Sequence, residues 1–111
     1  MNIYDTANRL AYEIKQSEEY VNYKKLKKEV NENPELKEKL NKFETSRYEV
    51  QLMAIQSGKQ DEEKAIEMQK LYLELIQEET MKKYFDAELK FNVLLTDINK
   101  IIGDAVEDLI K

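Results

Sequence analysis

Apolar residues recur every three or four positions almost throughout this chain, and no stretch alternates as a half-buried strand would. The pattern predicts five helical segments. In the first, about residues 3–16, Ile3, Ala7, Leu10, Ala11 and Ile14 share one face, and Ser17 then breaks the period where it can cap the next helix. The second, about 18–32, sets Tyr23, Leu26 and Val30 on one side and its lysines on the other. Asn33-Pro34 closes it, because a residue before proline is pushed out of the helical region while proline suits a first turn. Asn33 is therefore expected as the cap of a third helix that runs to about Ser57, with Gly58 as a left-handed stop.

The stripe of that third helix is Leu36, Leu40, Phe43, Arg47, Val50 and Ala54, spaced as a heptad seam. A second ridge, Tyr48, Leu52 and Ile55, widens the apolar face and predicts more than one neighbour. Gly58-Lys59-Gln60 reads as a short turn with Asp61 as the next N-cap, which folds the third and fourth helices into an antiparallel hairpin. The fourth helix, about 62–77, offers Ala65, Met68, Leu71, Tyr72, Leu75 and Ile76, and Thr80 is expected to cap the fifth. That last segment is the longest. Its period passes through Tyr84, Phe91, Leu95, Ile98 and Ile102 and continues beyond Gly103, which is read as a kink in preference to a point of close helix contact. The expected fold is an all-α bundle of about five amphipathic helices around a central hairpin, with residues 1–111 forming one domain.

Helix length bears on assembly. At 1.5 Å per residue, a helix over 81–110 reaches about 45 Å against about 25 Å for the fourth, so its isoleucine-rich end needs cover that a second chain could supply. A homodimer with the third and fifth helices in its interface is expected, and Leu40, Phe43, Arg47, Val50, Phe91, Leu95, Ile98 and Ile102 are the candidate interface or core residues.

Composition narrows the chemistry. The 111 residues include two glycines, one proline, and no cysteine, histidine or tryptophan. Serine or cysteine catalysis through a histidine, a thiolate or imidazole zinc site, iron-sulfur ligation by this chain and a disulfide all lack their residues. Two isolated glycines build no phosphate loop, and the carboxylates Glu74, Glu78, Glu79 and Asp86 make only a weak oxygen-ligand cluster. No catalytic, cofactor-binding or metal-ligating residue is assigned. Arg47 and Glu88 interrupt apolar stripes and are read as charges that pair with one another or across an interface to fix register.

The net charge of −5 belongs to the second half of the chain, since residues 61–111 hold seven basic and thirteen acidic groups. That sign opposes free nucleic-acid binding, whose affinity comes largely from neutralising phosphates. One basic segment stands apart, Lys24, Lys25, Lys27 and Lys28 behind Tyr20 and Tyr23, and it supplies the alternative reading of a direct RNA-binding protein. With no run of 18 apolar residues, and with Asp5, Arg9, Glu13 and Lys15 near the start, membrane insertion is not expected and the cytoplasm is.

Three pieces of the sequence carry a family resemblance: Ser-Glu-Glu-Tyr at 17–20, Asn-Pro-Glu-Leu-Lys at 33–37, and the run from Phe91 to Gly103. With their surroundings they resemble the YlbF/YmcA family of small helical bacterial proteins, and especially its YheA-type branch, over nearly the whole chain. The resemblance implies a dimeric helical bundle. It also implies a regulatory adapter, because the better-known members join a third protein in a complex that acts on endoribonuclease Y and, through RNA processing, on competence, sporulation and biofilm formation. That complex is linked to iron-sulfur clusters held by cysteines, a property a chain without cysteine does not inherit.

Overall fold

A computed structural model describes residues 2–58 and 62–110. Among them are six helices and no strand: α1 (Ile3–Gln16), α2 (Glu18–Asn31), α3 (Pro34–Ser57), α4 (Glu62–Leu75), α5 (Glu79–Ala105) and α6 (Glu107–Ile110). The protein is all-α, as the periodicity predicts. The expected turn at Lys59 and Gln60 and the expected Asp61 cap lie outside the described residues.

Short polar side chains set the helix boundaries. Asn2 Oδ1 accepts from the Tyr4 N–H at 2.8 Å and opens α1. Between α1 and α2 the backbone is extended at Ser17, whose Oγ donates to the Ile14 carbonyl at 2.6 Å and accepts from the Tyr20 N–H at 3.2 Å. One hydroxyl thus ends the first helix and caps the second. Asn33 is extended, and its Oδ1 accepts from the Leu36 N–H at 3.2 Å while Pro34 occupies the first turn of α3. Gly58, at φ 68°, closes α3 in the left-handed region, with its N–H bonded to the Ala54 carbonyl at 3.0 Å.

Two boundaries depart from expectation. Helix α4 stops at Leu75, because the N–H groups of Gln77 and Glu78 turn to the carbonyls of Glu74 and Leu75, three residues back, which tightens the last turn. Thr80 is not a cap but the second residue of α5; the first bonds of that helix run from Met81 and Lys82 to the Glu78 carbonyl, both at 3.1 Å.

Gly103 does not end the last helix. It lies inside α5, which runs on to Ala105, and the interruption falls at Val106, whose N–H meets the Gly103 carbonyl at 3.3 Å. Nothing lies within 4 Å of a Cβ built on Gly103, so close helix approach within the chain does not account for this glycine either.

The described residues form two compact units. Residues 2–26 and 84–110 make up one, and 27–58 with 62–83 the other. In the second unit α3 and α4 pack antiparallel: Phe43 meets Tyr72 with ring centroids 5.8 Å apart, and Lys64 Nζ lies 3.0 Å from Glu49. Val30, Leu36, Leu40, Phe43, Val50, Leu75 and Met81 are its buried side chains. The Tyr48, Leu52 and Ile55 ridge has no comparable cover, with Tyr48 64% and Ile55 81% exposed.

In the first unit Tyr20 and Tyr23 of α2 meet Phe91 and Tyr84 of α5, and these pairs fix the two helices as antiparallel. Among its described residues only Leu26, Tyr84 and Ala87 are buried, and α1 buries no side chain.

Two substitutions test this account of the helix ends. Gly103→Ala should stabilise the chain by about 0.5–1 kcal/mol, since alanine suits a helix and meets no neighbour. Asn33→Ala should cost about 1 kcal/mol through loss of the α3 cap. Urea unfolding monitored by circular dichroism reads both.

Candidate functional site

The first unit is built around an aromatic cluster. Tyr84 is fully buried. Its ring lies 5.5 Å from that of Tyr23 and 5.5 Å from that of Phe85, while Tyr23 lies 5.7 Å from Phe91 and Tyr20 lies 6.0 Å from Phe91 at 61°. Such tilted and edge-on pairs add to simple area burial. The cluster needs polar partners for its hydroxyls. The Tyr23 hydroxyl donates to Glu88 Oε2 at 3.3 Å and lies 3.5 Å from the Tyr84 hydroxyl. Glu88, which interrupts the apolar stripe of α5, therefore receives a tyrosine hydroxyl at the edge of the cluster.

These contacts bear on the basic segment. Lys24, Lys25, Lys27 and Lys28 are all exposed, and Lys24 Nζ lies 5.8 Å from the centre of the Tyr20 ring. The tyrosines beside them are half-buried against α5. A platform for nucleic-acid bases needs open rings, and those of Tyr20 and Tyr23 already pack against Phe91 and Tyr84. Lysine charge is what remains at this surface.

The other candidate residues separate by burial. Leu40, Phe43 and Val50 are no more than 7% exposed in the second unit and have little area left for a partner. Arg47 is half-buried, with its guanidinium 5.2 Å from the centre of the Phe43 ring, a favourable cation–π placement. Phe91, Leu95 and Ile98 are half-buried in the first unit, and Ile102 is 52% exposed. Among the described residues no three acids come together to hold a metal ion, so Glu74, Glu78, Glu79 and Asp86 do not form a ligand cluster.

One feature went unpredicted. A groove of about 560 Å³ runs between the start of α2 and the middle of α5, lined by Glu18, Glu19 and Asn22 on one side and by residues of the 86–97 stretch on the other. Ala87 and Leu94 contribute apolar surface, Leu89 and Val93 stand 62% and 50% exposed, and Asp86 pairs with Lys90 at 3.1 Å. A signal for it exists in the sequence: Asp86, Lys90, Val93 and Asp97 follow four-three-four spacing, a second stripe beside the aromatic one. Its mixed polarity conceals it.

The chain is similar to known proteins over nearly its whole length. The family model described as "Control of competence regulator ComK, YlbF/YmcA" matches residues 3–107. A UPF0342 protein of Symbiobacterium thermophilum is 30% identical, over 95% of this chain and 94% of its own length. Another from Halothermothrix orenii is 36% identical, covering 96% and 91%, and one from Alkalihalophilus pseudofirmus is 32% identical, covering 97% and 92%.

If the aromatic cluster holds α2 against α5, Tyr84→Ala should cost about 3–5 kcal/mol, while Tyr84→Phe, which keeps the ring, should cost about 1 kcal/mol. Equal losses in the two variants would show that the hydroxyl, not the ring, carries the contact.

Proposed function

This chain belongs to the YlbF/YmcA family, and we propose that it is a non-enzymatic interaction module that pairs with itself and joins a protein partner as a regulatory adapter in RNA processing or developmental control. The observation that carries this reading is the incomplete burial of the first unit. Helix α1 has a clear apolar face yet buries no side chain, and Ile3, Ile101, Leu109 and Ile110 are each more than two-thirds exposed. Apolar surface on that scale is seldom left to water in a monomer. The family is associated with control of the competence regulator ComK, a regulatory role that suits a protein working through contacts. Absence of histidine and cysteine removes the commonest catalytic groups. No helix among the described residues is long and apolar enough to cross a membrane, which is compatible with action in the cytoplasm.

A second reading, direct RNA binding, is favoured by the four exposed lysines Lys24, Lys25, Lys27 and Lys28. The two readings separate in one experiment. Affinity capture of the tagged chain from native extract, with and without nuclease, should retain one stoichiometric protein partner in both cases. Recovery that depends on RNA and falls when those four lysines become glutamine would support the second reading instead.

A further inference from the structure

We infer that the groove between α2 and α5 docks a basic amphipathic helix of a partner protein, whose apolar side lies along the groove and whose lysines or arginines meet Glu18, Glu19 and Asp97. This rests on the adapter role proposed above and deepens it by naming the surface and the chemistry of the partner. The groove offers apolar surface that nothing in its own unit covers. Among its lining residues Leu94 is half-buried, and Leu89 and Val93 stand 62% and 50% exposed. The 86–97 stretch of α5 spans about 17 Å at 1.5 Å per residue, the length of about three turns of a helix laid beside it. A helix with apolar residues at three-and-four spacing covers such a strip with one face and sets its flanks against the rims.

Charge decides what those flanks carry. Tyr20 meets Phe91 and Tyr23 meets Tyr84, so α2 runs antiparallel to α5 and its first residues lie toward Asp97. Glu18, Glu19 and Asp97 therefore gather at one end of the groove, while Asp86 at the other end is paired with Lys90 at 3.1 Å. Among the described residues none of those three has an ion-pair partner within the chain. Like charges beside apolar surface repel nucleic acid, anionic lipid and acidic proteins, and they attract a cationic partner. No three acids among the described residues come together to hold a metal ion, so cations spaced along a helix suit them and a single ion does not. Burial of Leu89 and Val93 supplies affinity. The carboxylates select a basic helix and place its cations at the Asp97 end, since exposed ion pairs give specificity more than strength.

The test titrates the full chain against two fluorescein-labelled synthetic peptides at about 0.15 M salt, where distant charges are screened, with binding read by anisotropy. One peptide carries leucine at three-and-four spacing with lysine on its flanks; the other has glutamate in place of every lysine. Circular dichroism shows that each variant is folded. Wild type should bind the lysine peptide at least about tenfold more tightly than the glutamate peptide. Glu18→Lys/Asp97→Lys should weaken the lysine peptide by about tenfold and strengthen the glutamate peptide. Glu67→Lys/Glu74→Lys, which makes the same change in net charge on the exposed face of α4, should leave both within about twofold. Leu89→Ser/Val93→Ser should weaken the lysine peptide severalfold by removing apolar area. Equal losses from the two charge reversals assign the binding to net charge and overturn the groove, as does a wild type that binds neither peptide. A groove reversal that shifts the oligomeric state in sedimentation equilibrium overturns it as well, by seating a second copy there. The capture experiment decides the adapter role separately: a partner retained by wild type and groove variant alike leaves that role standing and overturns only the groove. A wild type that captures no protein overturns both.

Discussion

Tyr84 is the constraint around which the first unit is organised. A tyrosine with no exposed surface needs close-packed neighbours for its ring and polar company for its hydroxyl. Tyr23 of α2 answers both needs, with its ring 5.5 Å away and its hydroxyl 3.5 Å from that of Tyr84, while Glu88 accepts from Tyr23. Phe91 extends the contact to Tyr20, one turn back along α2. With these four rings in place, α2 and α5 must run antiparallel, and their direction and rotation determine which residues form the groove at their side. The acidic rim of Glu18 and Glu19 and the exposed Leu89 and Val93 follow from the face that the aromatics turn inward.

Helix ends are handled economically in the same chain. With two glycines and one proline, most boundaries must come from polar side chains, and Asn2, Ser17 and Asn33 each accept from a backbone N–H just inside a helix. Ser17 is the most informative of them because it serves two helices at once. Its extended backbone redirects the chain with no inserted loop, which keeps the strongly amphipathic α1 next to α2 in sequence while leaving α1 without a buried side chain. Such a helix carries apolar surface beyond what its own unit covers.

Much of this could be read from the residues. The helical periodicity, the Asn33-Pro34 boundary and the Gly58 stop are local effects, governed by hydrogen bonds and dihedral angles within a few positions, and the structure reproduces them. Thr80 was misleading for the same reason: residue type indicates a tolerance for capping, whereas the observed start of α5 depends on which carbonyl the Met81 and Lys82 N–H groups reach, that of Glu78. Tyr20 and Tyr23 beside a lysine cluster carry the composition of a nucleic-acid surface, and only their packing against Phe91 and Tyr84 shows where the rings point. The groove escaped notice because its stripe mixes aspartate, lysine and valine, and period alone cannot tell which of two faces on one helix meets a neighbour.

By itself, then, the sequence determined an all-helical chain, the positions of most helix boundaries, the family and the lack of the usual catalytic groups, because each follows from residue identity and short-range spacing. Tertiary structure decided that Leu40, Phe43 and Val50 are core, that Tyr84 is sealed by Tyr23, and that Glu18, Val21 and Lys25 stay open on one face of α2. The reason is that burial belongs to pairs of elements. A helix offers several faces, and only packing against another helix determines which of them remain in water.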